Sequence, residues 1–139
     1  MTTEAVVVTV VASLLSGLVG VFVSSSFYQR LERRKMKMET ARKLFGSKHN
    51  MSRNEFQEAM NEVMVVFSDS HPVIAAMDGL WTTLEIPVDK RAPSAAQDKL
   101  IKFMKTICDD IGIRYGDLPD AYFLRVFSVP KEQPGSATR

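Results

Sequence analysis

The sequence predicts an all-α protein: one long N-terminal helix that is both membrane span and stalk, followed by a small cytoplasmic domain of four helices. Three observations carry this expectation. The run from Ala5 to Phe27 is apolar and holds no charged residue. Apolar residues beyond it recur mostly at helical spacing rather than in alternation. Each later periodic stretch is bounded by residues that start or stop helices. With 139 residues, the chain is long enough for one domain and not for two.

The first element is the apolar run AVVVTVVASLLSGLVGVFVSSSF. A helix rises about 1.5 Å per residue, so about 20 residues cross a hydrocarbon core about 30 Å thick. Valine is a middling helix former in water. In lipid, however, the backbone has to bond to itself, and a helix is how a lone segment does so. A soluble core helix would carry a polar face, whereas only Thr, Ser and Gly interrupt this run. The competing reading is a cleavable signal peptide. Such a peptide wants bases ahead of its apolar stretch, where this chain has Met1-Thr2-Thr3-Glu4, although Ser24-Ser25-Ser26 imitates a cleavage site.

Charge sets the expected orientation. Seven of the chain's 18 bases lie between Tyr28 and Phe45: Arg30, Arg33, Arg34, Lys35, Lys37, Arg42 and Lys43. Only Glu32 and Glu39 accompany them, and with Glu4 also set aside the rest of the chain holds 11 bases against 13 acids. Bases flanking a span stay on the cytoplasmic side. The N-terminus is therefore expected outside and Arg30 to Arg139 inside, with Tyr28 at the headgroup level; the sequon Asn50-Met51-Ser52 is then a chance match. Arg30, Arg33, Arg34, Lys35 and Lys37 are expected to mark topology and to meet anionic headgroups, at about 1 kcal/mol per base near the surface. A nucleic-acid-binding domain would place its bases on the folded domain, so no nucleic-acid partner is expected.

Within the span, Ser16, Gly20 and Ser24 recur every fourth residue, with Ser13 and Gly17 on a neighbouring line. Small residues at that spacing let two helices approach closely; the alternative is that this ridge faces lipid.

The organisation reads as an anchor over 1–28, a basic stalk helix over 29–46, a helical domain over 47–129 and a disordered tail over 130–139. No turn signal interrupts the chain before Gly46, so one helix is expected from about Ala5 to Phe45, with Leu31, Met38 and Phe45 recurring at seven. Ser52-Arg53-Asn54-Glu55 has the pattern of a capping box. It opens a helix whose stripe is Phe56, Ala59, Met60, Val63, Met64 and Phe67. Ser70-His71-Pro72 starts the next, with Pro tolerated in a first turn and a stripe of Val73, Ile74, Met77, Leu80, Trp81 and Leu84. Glu85 to Pro93 reads as an exposed loop. Ser94 caps a third helix with the stripe Leu100, Ile101, Met104, Ile107, Cys108 and Ile111, ended by Gly112 in a left-handed conformation. Asp117 is expected to cap a short fourth helix from Leu118 to about Phe127, with a strand over Tyr122 to Val129 as the alternative. About 90 residues are marginal but sufficient for one small core.

Glu55-Phe56-x-Glu58-Ala59-Met60-Asn61, then Val65-Val66-Phe67-Ser68-Asp69, then a helix ending Leu80-Trp81, resembles the bacterial domain-of-unknown-function family 6680. Asp98-Lys99-Leu100-Ile101 and the turn Gly112-Ile113 are similar to its second half, so the resemblance covers roughly Lys37 to Phe127. It implies short bacterial proteins, often with one N-terminal span, and it implies no assigned activity. A bacterial inner membrane is the expected location.

No catalytic, cofactor-binding or metal-binding residue is identified. His49 and His71 are 22 residues apart with no HxxE or HxxxH partner, and metal sites need three or four ligands on defined spacings. Asp109, Asp110, Asp117 and Asp120 gather near the third helix's end, where capping accounts for Asp117 and Asp120. Cys108, alone in the chain, falls on an apolar stripe and rules out an intramolecular disulfide. Trp81 and the methionines at 60, 64, 77 and 104 read as core, and Asn61 as bonded to a loop backbone. The function expected is a membrane-anchored module that associates with itself or with a membrane or cytoplasmic protein, not an enzyme. The alternative is a membrane-active effector, pore-forming or membrane-disrupting, of a toxin or anti-phage system.

Overall fold

A computed structural model describes residues 2–126. Its elements are α1 (Thr3–Ser47), α2 (Asn54–Val66), α3 (His71–Glu85), a 3-10 turn (Val88–Lys90), α4 (Ala95–Ile111) and α5 (Asp120–Leu124). Among the described residues there is no strand, so the chain is all-α with one long N-terminal helix.

α1 has 45 residues and is about 68 Å long. It runs through Gly46, the expected breaker, and ends one residue later. A single glycine costs a helix only about 1 kcal/mol. That cost is offset here because Leu44 and Ser47 on either side are buried, and the Ser47 hydroxyl donates to the Lys43 carbonyl at 2.9 Å. Thr40, Ala41 and Leu44 are also buried, so the core begins inside the segment read as a stalk.

Two helical hairpins make the domain. The last turns of α1 run antiparallel to α2, with Lys37 at Asp69 and Thr40 and Lys43 at Glu62. α3 and α4 form the second hairpin. Its loop is tied to the end of α3 by the Arg91 guanidinium, which donates to the carbonyls of Leu84 and Ile86, each at 2.6 Å. Lys37 also reaches Asp110 at the end of α4, which joins the hairpins. α5 folds back onto α4, where the buried Phe123 ring meets Tyr115 edge-on at 5.7 Å between centroids.

The core is filled by Leu44 from α1, Phe56 and Val63 from α2 with Phe67 at its C-terminal cap, Val73 and Leu80 from α3, and Leu100, Phe103, Met104 and Ile107 from α4. All six stripe residues expected on α4 are buried, and Gly112 terminates the helix at φ 73°. Pro72 lies in the first turn of α3.

Several local expectations are corrected. Ser52 does not cap α2. The Asn50 side-chain oxygen accepts the Ser52 amide at 3.0 Å, forming a side-chain turn, and the helix starts at Asn54 behind Arg53. Asp117 does not cap α5, which begins at Asp120 after Pro119. Met64 and Trp81 lie at the margins of their stripes and are 54% and 60% exposed, so neither is a core residue. The Trp81 indole N–H donates to Glu85 at 2.8 Å. Asn61 is exposed. Tyr122 to Leu124 are helical and Arg125 and Val126 form no strand, which excludes a strand over 122–126; residues 127–129 and the tail over 130–139 lie outside the described residues.

Candidate membrane anchor and its charged junction with the domain

From its first turn to Tyr28, α1 is bare of packing against the rest of the described residues. Val8, Leu14, Leu18, Val21 and Phe22 are each about two-thirds exposed or more, and none of the most apolar stretch is buried. Among the described residues α1 is the one helix long and apolar enough to cross a membrane. A helix buried within the core of this chain would not leave those side chains bare. Two polar groups of the stretch turn back to the helix itself: Thr9 donates its hydroxyl to the Ala5 carbonyl, and Ser13 to the Thr9 carbonyl, both at 2.8 Å. Ser16, Gly17, Gly20 and Ser24 lie on the same exposed helix, and, beyond the adjoining residues and the helix's own backbone, no atom of the described residues comes within 4 Å of where a Cβ would stand on Gly17 or Gly20.

The basic segment follows without a break. At 3.6 residues per turn, Arg30, Arg33, Arg34 and Lys37 fall on one face of α1, with Lys35 well round the helix from them. That face borders an open groove completed by Asp69 from the α2–α3 loop and by Asp109, Asp110, Ile111 and Gly112 from the end of α4. Arg33 stands 3.7 Å from Asp69, while Arg30, Arg34 and Lys35 are exposed.

Lys37 differs from its neighbours. Its side chain is 14% exposed, and its ammonium lies 2.9 Å from both Asp69 and Asp110 and 5.1 Å from the centre of the Phe67 ring. Burial disfavours the charged ammonium, but hydrogen bonds to Asp110 and Asp69 outweigh it and raise the lysine's pKa. The bond from Lys37, working against partial burial, holds the Asp69 carboxyl below the usual carboxylate range. Residue spacing held the signal for this contact. Lys37, Thr40, Ala41 and Leu44 recur at the intervals of a core-facing stripe, a pattern hidden when the bases are read simply as a charged run.

The other expected candidates are dispersed. His49 follows the end of α1 and His71 opens α3, at opposite ends of the α1–α2 hairpin. Asp110 is held by Lys37, Asp109 accepts the Tyr115 hydroxyl at 3.3 Å, and Asp120 is paired with Lys105. Among the described residues no group of three or more His, Cys, Asp or Glu side chains could hold a metal ion. The buried Cys108 thiol has its pKa raised by burial, against thiolate chemistry. At the far end of the hairpin, Glu62 accepts from Lys43 and from the Thr40 hydroxyl. The bond from Lys43 lowers the Glu62 pKa, and the same bond raises that of Lys43.

These features define a small all-helical protein whose N-terminal helix is a candidate membrane span, joined to its domain through a lysine held by two carboxylates. The chain belongs to the family of unknown function DUF6680, whose model matches residues 1–118. The match thus takes in the apolar half of α1, upstream of the Lys37 to Phe127 region that carried the resemblance, and stops short of α5. No curated protein and no solved structure matches the chain.

Proposed function

We propose that this protein is a single-pass membrane protein of the bacterial inner membrane, with its N-terminus outside and its helical domain in the cytoplasm, acting as a tethered module that associates with itself or with a protein partner rather than as an enzyme. The observation that carries the reading is the bare apolar half of α1. Its exposed valines, leucines and phenylalanines would be strongly unfavourable in water at about 25 cal/mol per Å², and a bilayer covers them all. The bases at one end only set the orientation. An uncleaved anchor is favoured over a signal peptide because α1 runs unbroken past Ser24-Ser25-Ser26 and enters the domain core through Thr40, Ala41 and Leu44.

The pore-forming alternative has less support. Thr9 and Ser13 spend their hydroxyls on their own helix, and the stretch from Ala5 to Phe27 offers no charged group to line a pathway. The reading is tested by purifying full-length protein in mild detergent. Elution as an oligomer, or together with a second protein, supports it; a monodisperse monomer without a partner contradicts the proposed association.

A further inference from the structure

Four bases on one face of α1, Arg30, Arg33, Arg34 and Lys37, look onto three acids of the domain, Asp69, Asp109 and Asp110. The helix also fixes how far each base stands from the span. Counting 1.5 Å per residue from Phe27, Arg30 lies about 4.5 Å beyond the hydrocarbon edge, Arg33 and Arg34 about 9 to 10 Å, and Lys37 about 15 Å. The headgroup layer of each leaflet is about 5 to 8 Å thick, and charges are screened over about 8 Å at physiological salt. Arg30 therefore stands among the headgroups, and Arg33 and Arg34 stand at their outer edge. Lys37 lies about 5 Å further away, largely covered, with both contacts to carboxylates already made.

From this arrangement we infer that Arg33 has two alternative anionic partners, Asp69 on the rim of the domain and acidic lipid headgroups, with the exposed Arg34 beside it adding to the attraction for lipid and Lys37 as the fixed tie between span and domain. On zwitterionic lipid Arg33 rests against Asp69, and the α2–α3 loop is held against the anchor helix. Acidic lipid draws Arg33 away from Asp69 and loosens the α2–α3 loop, while Lys37 and the buried Thr40, Ala41 and Leu44 keep the domain in place on the unbroken α1. The inference rests on the membrane placement proposed above. It goes further by making the junction respond to lipid composition. The long Arg33 to Asp69 contact, 3.7 Å against 2.9 Å at Lys37, marks the pair that yields first.

Hydrogen exchange on the full-length chain in lipid nanodiscs tests this. The Ser70 amide, bonded to the Phe67 carbonyl beside Asp69, reports directly, and the amides of Gly112 and Ile113, bonded to the carbonyls of Asp109 and Cys108, serve as controls at the end of α4, which Lys37 holds. Replacing phosphatidylcholine with phosphatidylglycerol should speed Ser70 exchange by up to about fivefold, the loss of one exposed ion pair, leaving Gly112, Ile113 and the α2 and α4 core amides unchanged. Arg33→Gln/Arg34→Gln should insert normally and show no lipid response. Asp69→Asn/Asp110→Asn should exchange fast on both lipids; if that variant does not fold, the arginine pair still decides the matter. Equal Ser70 exchange of the wild type on both lipids, or a full response from the arginine variant, overturns the inference while the membrane placement stands. A chain that enters neither kind of disc overturns both.

Discussion

Replacing Lys37 by methionine keeps a flexible stem over the Phe67 ring and removes only the charge. Exposed ion pairs contribute about 0.2 to 1 kcal/mol, and breaking a buried one costs about 3 to 5 kcal/mol. The Lys37–Asp110 pair lies between these limits, at 14% and 18% side-chain exposure, and the Asp69 pair lies nearer the surface at 48%. Taking about 1 to 1.5 kcal/mol for the first, about 0.5 for the second and a fraction of a kcal/mol for the ammonium over the ring gives about 2 kcal/mol. For a domain of this size that corresponds to roughly 10 °C in melting temperature. Thermal unfolding of the full-length protein in detergent, followed by far-ultraviolet circular dichroism, measures it. The pH dependence is fixed by the two shifts. The Asp69 pKa is lowered in the fold, so its contribution is complete above the usual carboxylate value near 4 and is lost as pH falls through the lowered one. The Lys37 pKa is raised, so its contribution is complete below the usual lysine value near 10.4 and is lost as pH rises through the raised one. The gap between wild type and Lys37→Met should therefore be widest from about pH 5 to about 10 and shrink on either side. A variant that melts within a degree of wild type at pH 7, or a gap that grows in acid, refutes the reasoning.

Phe103 is fully buried on α4, so Phe103→Ala should cost about 3 to 5 kcal/mol and leave most of the domain unfolded at 37 °C, read as lost helical signal beyond that of α1. Gly112→Ala meets no atom within 4 Å but must hold φ at 73°, so a loss of about 1 kcal/mol is expected by the same melt; no loss would mean that α4 ends differently. Trp81→Ala removes an exposed ring and one surface hydrogen bond, and should shift stability by about 0.5 kcal/mol or less, where a core tryptophan would cost several.

What the sequence made legible follows the range of the physics involved. The bare apolar run and the α4 stripe with its terminal Gly112 are local patterns in which periodicity and end signals agree. Ser52 was misread because two local turns competed and Asn50 prevailed, which spacing alone does not decide. Met64 and Trp81 sit at the edges of their stripes, and whether an edge residue is covered depends on a neighbouring helix that no local pattern reveals. The contact of Lys37 with Asp110 spans 73 residues and joins two elements whose packing arises only in the folded domain. The bases stand in the sequence as a run, and charge order does not reveal that Lys37 alone among Arg30, Arg33, Arg34, Lys35 and Lys37 is largely covered by the domain.

Whether the apolar half of α1 resides in a bilayer is tested most directly by washing membranes from cells expressing the full-length chain with alkaline carbonate, then taking the intact mass of the retained protein. The account predicts that the chain stays in the membrane pellet with its N-terminal segment uncleaved. Release into the wash, or a mature chain that begins after Ser26, would contradict it.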